Sequence, residues 1–230
     1  MHTPQRHFSG VIFDFNGVLL WDAELHEEAW QAAAQRLRGR PLDAHEFEQH
    51  VHGRPNAGIL AYLLGRPVAG GELHELAQLK ESLYRELCLQ RPDIFVLSPG
   101  AEALLDALVA RGIPHTIATS SDRMNLDFFV THLGLARWFD TGLIVHDDGK
   151  RPGKSAPDCY LQAATNLGLA AQDCIVIEDA VSGFRAARAA GAGCLIALAD
   201  PTRATQLKAD HGVDRVIASL ADFPPGLLAC

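Results

Sequence analysis

Apolar and polar positions divide the chain into an alternating part and a purely helical insert. An apolar run at residues 11–13 is typical of a buried strand, and it ends in Asp14 with a glycine turn at Gly17. From residue 22 to about residue 90, apolar positions recur every three or four residues, which is helical spacing, and no strand-like run interrupts them. From Phe95 onward, strand-like runs alternate with helical spacing. This alternation predicts an α/β fold with a doubly wound parallel sheet.

Local signals indicate where these elements begin and end. Asp22 is placed to cap a helix that ends before Gly39, Asn56 is placed to cap another, and a longer helix spans about 72–89. In the alternating part, helices are predicted near 99–112, 124–133, 157–167 and 182–190. Strands are predicted there at 113–118, 139–145, 174–177, 194–198 and 215–217.

Composition and charge exclude several classes of partner. The chain has 230 residues, 48% of them hydrophobic, and a net charge of −8 without a basic cluster, so we expect no nucleic-acid partner. No apolar run reaches the length of a membrane span, and residues 1–9 lack the apolar core of a signal peptide. The five cysteines show no C-x-x-C spacing and are typical of reduced thiols. We therefore expect a cytoplasmic protein, a monomer or weak dimer, without a membrane partner.

Chemically useful side chains follow the predicted strands in a regular order. Ligands of parallel α/β sheets bind at the carboxyl ends of the strands. There the chain offers Asp14 as a nucleophile, Thr119 as a hydroxyl, Lys154 as a cation and Glu178-Asp179 as an acidic pair. Oxygen ligands on few side chains favour Mg²⁺ bound jointly with a phosphate. Each residue alone is an ordinary surface type, but all of them in this order are a much more specific signal.

These stretches resemble the motifs of the haloacid dehalogenase superfamily of phosphotransferases. Residues 13–19 resemble its first motif, 119–121 its second, 154–158 its third, with Ser155 where proline is usual, and 177–183 its fourth. The similarity is greatest to the beta-phosphoglucomutase branch, which includes many small sugar-phosphate phosphatases. It implies a Rossmann-like core of residues 1–20 and 97–230, and an inserted α-helical cap of residues 21–96.

The resemblance also implies roles for the core residues. Asp14 would attack phosphorus and form an aspartyl-phosphate. Thr119 and Lys154 would hold the phosphoryl oxygens, and Lys154 would also neutralise Asp14. Mg²⁺ would be bound by Asp14, the backbone carbonyl of Asn16 and Asp179, with Glu178 in support.

A further group of residues is expected to contact the substrate, a small phosphorylated metabolite. Ser120 belongs to the second motif. His26, Arg54 and Lys80 are similar to cap residues that contact substrate in the mutase branch. These three matches are looser, because charged side chains are common on exposed helix faces.

Asn16 departs from the superfamily's pattern, in which a second aspartate protonates the leaving group and then activates water. An amide does neither, and such general acid–base help is typically worth about 10²–10⁴-fold. Three explanations stay open: an engineered variant, a natural enzyme whose substrate leaves readily or that recruits another acid such as His26, or a catalytically impaired protein that only binds phospho-ligands. The metal-free dehalogenase branch also lacks this aspartate, but it has no need of an acidic pair like Glu178-Asp179.

The sequence thus predicts a Mg²⁺-dependent hydrolase that cleaves a small phosphate ester. A sugar phosphomutase is the second reading, and a phospho-ligand binding protein is the third.

Overall fold

The computed structural model describes residues 7–52 and 54–229, which form two compact units. One unit is the helical segment Asp22–Phe95. The other comprises the described residues up to Trp21 and from Val96 onward, and it has the α/β architecture.

A parallel sheet forms the centre of the α/β unit and confirms the predicted fold class. Among the described residues it has six strands in the order β3-β2-β1-β4-β5-β6. The central strand β1 pairs in parallel with β2 on one side and β4 on the other. The strands are β1 (Gly10–Phe13), β2 (His115–Asp122), β3 (Val145–Asp147), β4 (Cys174–Glu178), β5 (Cys194–Leu198) and β6 (Arg215–Ile217).

The register of the central strands decides where the site lies. Phe13 is aligned with Ile117 of β2 and with Ile177 of β4. The residue after Phe13 therefore leaves the sheet level with the end of β4. Every residue of β1, β4 and β5 is buried, because helices cover both faces of such a sheet and favour continuous apolar strands.

The helical unit is built on two long helices that pack together. The first and fourth helices of this unit are in contact. The first buries Leu25, Ala29 and Trp30, and the fourth buries Leu83 and Tyr84. The helices are α1 (Ala23–Arg38), α2 (Ala44–His50), α3 (Asn56–Leu64) and α4 (Gly70–Gln90).

Further helices flank the sheet in the α/β unit. Tyr160 and Phe184, on two of these helices, are buried in one apolar cluster with Ile12, Val176 and Leu195 of the strands. The helices are α5 (Ala101–Ala110), α6 (Arg123–His132), α7 (Asp158–Asn166), α8 (Val181–Ala189) and α9 (Ala204–His211). In the described part of the chain, none of the helices combines the length and apolar character that crossing a bilayer requires.

Two predicted helix caps differ in the structure. Asp22 holds the cap position of α1, as predicted, but its side chain makes no capping hydrogen bond; its carboxylate instead accepts a hydrogen bond from the Tyr84 hydroxyl. Asn56 is already the first residue of α3, and Pro55 holds the cap position. In both cases a polar residue at the expected place has another partner or lies one position too late.

The predicted strand 139–145 is also wrong. Asp140 accepts a hydrogen bond from the backbone of Gly142 and starts a 3₁₀ turn, so that β3 begins only at Val145. Strand β2 runs to Asp122, beyond the predicted end at Ala118. Helix α9 was not predicted, because among its residues only Leu207 is buried and its apolar periodicity is weak.

Candidate active site

Asp14 and its turn form the base of the site. Asp14 directly follows β1, and its backbone N–H donates to the carbonyl of Ile177 at 2.9 Å. Gly17 has φ 83°, and a Cβ there would collide with the carboxylate of Asp179. Glycine is therefore required twice at this position, for the left-handed conformation and for the close approach of Asp179.

Lys154 connects the two central strands through one ammonium group. Its Nζ lies 2.6 Å from Oδ1 of Asp14 and 2.6 Å from Oε1 of Glu178, and its side chain is 7% exposed. Burial alone would lower the pKa of Lys154, but the two carboxylates outweigh this and raise it. Lys154 therefore stays protonated at neutral pH and is available to neutralise oxygen charge.

Glu178 is fully buried and every acceptor position of its carboxylate is used. Oε1 accepts from Lys154 and from the Tyr160 hydroxyl at 2.7 Å. Oε2 accepts from the backbone N–H groups of Asp179 at 2.9 Å and Ala180 at 3.0 Å, just before α8. A Cβ at Gly183 would collide with this carboxylate, so glycine in the first turn of α8 leaves the space that Glu178 occupies.

Asn16, in the turn that follows β1, is linked through Ser121 to Thr119, and the latter two residues both lie near the end of β2. The Ser121 hydroxyl donates to Oδ1 of Asn16 at 2.8 Å, and the Ser121 backbone N–H donates to Oγ1 of Thr119 at 3.0 Å. Thr119 is buried, whereas Ser120 is exposed. The three polar side chains Asn16, Thr119 and Ser121 thus form one local group.

The acidic residues fit a divalent cation. One carboxylate oxygen from each of Asp14, Glu178 and Asp179 lies within 4.8 Å of the others. Burial and the charge of Glu178 raise the pKa of Asp14 to about 7, although Lys154 opposes the shift. Three carboxylates therefore face one ammonium, and oxygen ligands with excess negative charge suit Mg²⁺. The four donors on Glu178 favour a supporting role for it, with Asp14 and Asp179 as the carboxylate ligands.

Two of the predicted substrate contacts form a pair inside the helical unit. Lys80 is buried, and its Nζ lies 2.7 Å from Nδ1 of His26 and 2.9 Å from Glu81. Nε2 of His26 lies 3.3 Å from Asp22, and the His26 ring stacks on Tyr84. Both nitrogens of His26 are satisfied if Lys80 donates to Nδ1 and the Nε2–H group donates to Asp22.

Arg54, the third cap residue predicted to contact substrate, is not part of that pair. Its side chain is exposed, whereas Lys80 is buried with His26.

Comparison with known proteins assigns the chain to a family. Residues 8–191 match the model of haloacid dehalogenase-like hydrolases. The chain belongs to this family. Hexitol phosphatase A of Escherichia coli is 32% identical over 216 residues, which cover 92% of this chain and 91% of that protein. The beta-phosphoglucomutase of Mycobacterium tuberculosis is 28% identical over 240 residues, which cover 92% of this chain and 90% of that protein.

A solved structure agrees with this assignment. The crystal structure of a haloacid dehalogenase hydrolase of family IA, variant 3, from Entamoeba histolytica superposes with a TM-score of 0.88 at 37% identity. The match covers 95% of this chain and 96% of that one. The predicted membership in the haloacid dehalogenase superfamily is therefore confirmed, and the chain is an enzyme of the hydrolase type.

The α/β unit of this haloacid dehalogenase-like hydrolase brings most of the predicted core residues together. Lys154 donates hydrogen bonds to both Asp14 and Glu178, and Asp179 lies beside these two carboxylates. Two residues of the group were not predicted as site residues, Ser121 and Tyr160. Ser121 lies within the second motif and was the easier to find. Tyr160 has no local signal, because its helical spacing is that of an ordinary core residue. The individual roles of all these side chains stay predictions.

Proposed function

We propose that this chain is a Mg²⁺-dependent phosphatase that hydrolyses a small phosphate ester through an aspartyl-phosphate on Asp14. The observation that carries the proposal is the buried contact of 2.6 Å between Lys154 and Asp14 beside the acidic residues Glu178 and Asp179. The relatives favour sugar phosphates and related metabolites as substrates, since one is a hexitol phosphatase and another a beta-phosphoglucomutase.

The first half-reaction follows from this arrangement. Asp14 uses a carboxylate oxygen to form a bond to phosphorus, and the ester oxygen leaves with the electron pair of the broken P–O bond. Lys154 neutralises charge on the nucleophile and the phosphoryl oxygens, and the buried setting strengthens that interaction. Thr119 would donate its hydroxyl proton to a phosphoryl oxygen. Mg²⁺, held by Asp14, Asp179 and the backbone carbonyl of Asn16, would supply further positive charge.

In the second half-reaction the oxygen of a water forms a bond to phosphorus, and the bond between phosphorus and the Asp14 oxygen breaks with its electron pair restoring the carboxylate. The protons of that water stay on the released inorganic phosphate or pass to solvent. Asn16 would orient a water or a leaving oxygen through hydrogen bonds, but its carboxamide transfers no proton at neutral pH. The leaving oxygen must therefore be protonated by solvent or depart as an anion.

Asp14→Asn tests the mechanism directly. The variant should release no phosphate from sugar phosphates in the presence of Mg²⁺ while its thermal unfolding stays cooperative, because an amide is a far weaker nucleophile than a carboxylate. In the unmodified chain, mass spectrometry should find the phosphoryl group on the peptide that contains Asp14.

A matched control is Asp127→Asn, which makes the same chemical change at an exposed ion pair with Arg123 on α6. Its turnover should equal that of the unmodified chain. Undiminished turnover in a well-folded Asp14→Asn protein would rule out the aspartyl-phosphate route.

A mutase is the second candidate, and the beta-phosphoglucomutase relative is the observation that favours it. A mutase returns the phosphoryl group from Asp14 to a second hydroxyl of the sugar instead of to water. Product analysis separates the two functions: free phosphate indicates a phosphatase, whereas an isomeric sugar phosphate formed only with a sugar bisphosphate activator indicates a mutase.

A further inference from the structure

We propose that Tyr160 is a positioning residue for phosphoryl transfer, because its phenol holds Glu178 in the orientation that keeps the Lys154 ammonium on Asp14. The inference rests on the proposed function and adds to it a residue that touches neither the nucleophile nor the phosphate.

Tyr160 contacts both members of the buried ion pair between Lys154 and Glu178. It lies in the first turn of α7 and is fully buried. Its hydroxyl donates to Oε1 of Glu178 at 2.7 Å, and Nζ of Lys154 lies 5.1 Å from the centroid of its ring. The ring thus lies within cation–π range of the ammonium while the hydroxyl binds the carboxylate beside it.

The Tyr160 hydroxyl donates to the same Glu178 oxygen that binds Lys154. Oε1 of Glu178 accepts from both Tyr160 and Lys154, and Asp14 shares the same ammonium at an equal distance. A donor on Oε1 withdraws negative charge from it, so Glu178 competes less strongly with Asp14 for Lys154. Without the phenol, Glu178 would draw the ammonium away from the reacting atoms.

The other contacts of Glu178 leave the orientation of its Oε1 atom to Tyr160 and Lys154. Oε2 of Glu178 is held by two backbone N–H groups before α8, and the carboxylate occupies space that a Cβ at position 183 would take. Of the two side chains that donate to Glu178 in the described part of the chain, Lys154 is charged and Tyr160 is neutral. It therefore sets the geometry of Oε1 without adding a second cation.

Tyr160→Phe removes the hydroxyl and keeps the ring. We expect kcat to fall about tenfold with KM changed by less than about twofold, because a bond to a charged group that matters mainly in the transition state affects kcat and not substrate binding. Inhibition by orthovanadate, which resembles pentacoordinate phosphorus, should weaken by a similar factor. The affinity for Mg²⁺ measured by calorimetry should stay the same, because Glu178 only supports the metal ligands and its Oε2 stays held by two backbone N–H groups.

Tyr62→Phe is a matched control in the helical unit. Tyr62 also donates to a largely buried carboxylate, Oε1 of Glu46 at 2.5 Å, so the same kind of bond is lost. This variant should lose stability to a similar extent with kcat unchanged. A second test is the pair with Glu178→Gln: if Tyr160 acts through Glu178, adding Tyr160→Phe to Glu178→Gln should lower kcat less than about twofold further.

Each result decides one claim. Three results with a folded Tyr160→Phe protein would overturn the assigned role of Tyr160: an unchanged kcat, a rise in KM of about tenfold with no fall in kcat, or weakened Mg²⁺ binding. Fully additive effects of Tyr160→Phe and Glu178→Gln would overturn the route through Glu178. If the unmodified chain cleaves no phosphate ester but retains its fold and Mg²⁺ binding, the proposed function fails instead, and orthovanadate affinity still tests Tyr160.

Discussion

Asn16→Asp is the substitution that most directly probes the unusual chemistry of this site. The change replaces one amide nitrogen by oxygen and leaves the backbone carbonyl, the predicted metal ligand, in place. Ser121 already donates to Oδ1 of Asn16 at 2.8 Å and would donate equally to a carboxylate oxygen. We therefore expect the fold and the Mg²⁺ affinity to change little.

The size of the effect follows from the acid that the new side chain supplies. A positioned general acid typically contributes about 10²-fold or more, and 10²-fold corresponds to about 2.7 kcal/mol of barrier. The new carboxyl would lie in the same site as the carboxylates of Asp14, Glu178 and Asp179. Their like charge favours its protonated form, in which it donates a proton to the leaving oxygen.

The assay compares two kinds of leaving group. Alkyl phosphates, including most sugar phosphates, leave as poor alkoxides and should be cleaved about 10²-fold faster by Asn16→Asp. Aryl phosphates leave readily as anions and should gain much less. Asn166→Asp is the matched control: Asn166 lies at the end of α7, where its side chain bonds to Gln162 and Leu143, and this variant should show unchanged turnover. Because Asn16-Gly17 is prone to deamidation, mass spectrometry of that peptide accompanies each rate measurement.

One result would refute this reasoning. If the intact Asn16 chain cleaves an alkyl phosphate as fast as Asn16→Asp, another group already supplies the proton. His26 would then be the first candidate, although both its ring nitrogens have partners, Lys80 and Asp22, within the helical unit. A His26→Gln variant that loses the alkyl but not the aryl activity would identify it.

Two further predictions concern the acidic residues. Asp179→Ala should weaken Mg²⁺ binding in calorimetric titrations by about tenfold or more, equivalent to about 1.4 kcal/mol, whereas Glu178→Ala should weaken it less because other donors hold that carboxylate; equal losses would contradict this division. In the metal-free protein, burial and Glu178 raise the pKa of folded Asp14 from 3.8 to about 7. Between these two pH values the folded state binds more protons than the unfolded state, so the free energy of unfolding falls as the pH rises from one to the other. Thermal melts should show a larger fall in Tm over this range for the unmodified chain than for Asp14→Asn, and parallel curves would show that Asp14 does not titrate in this way.

Local patterns along the chain were enough for much of the fold. The apolar run before Asp14 and the later alternation of strands and helices predicted the parallel sheet, because burial on both faces requires continuous apolar strands. The same patterns failed where a side chain had a second local option. Asp140 accepts a hydrogen bond from Gly142 and turns the chain where a strand was predicted, and the side chain of Asp22 accepts from Tyr84 and makes no capping hydrogen bond on α1.

What the sequence by itself determined is the set of chemical groups at the strand ends: Asp14, Thr119, Lys154 and the acidic pair. Their order follows from the topology of a parallel sheet, in which every strand delivers its last residues to one edge. Motif resemblance extended this to the family, which the comparisons confirmed.

Only the tertiary structure decided how these groups share their hydrogen bonds. Lys154 and Asp14 are 140 positions apart, and Ser121 and Asn16 are 105 apart, so no local rule relates them. Tyr160 has the spacing of a core residue, and its hydroxyl becomes part of the site because α7 packs on β1, β2 and β3 of the sheet and brings the phenol to Glu178. Glu178 is fixed by the two backbone N–H groups that follow it and by the side chains of Lys154 and Tyr160. The two side-chain donors come from the fold, because a buried carboxylate must have its acceptor positions satisfied.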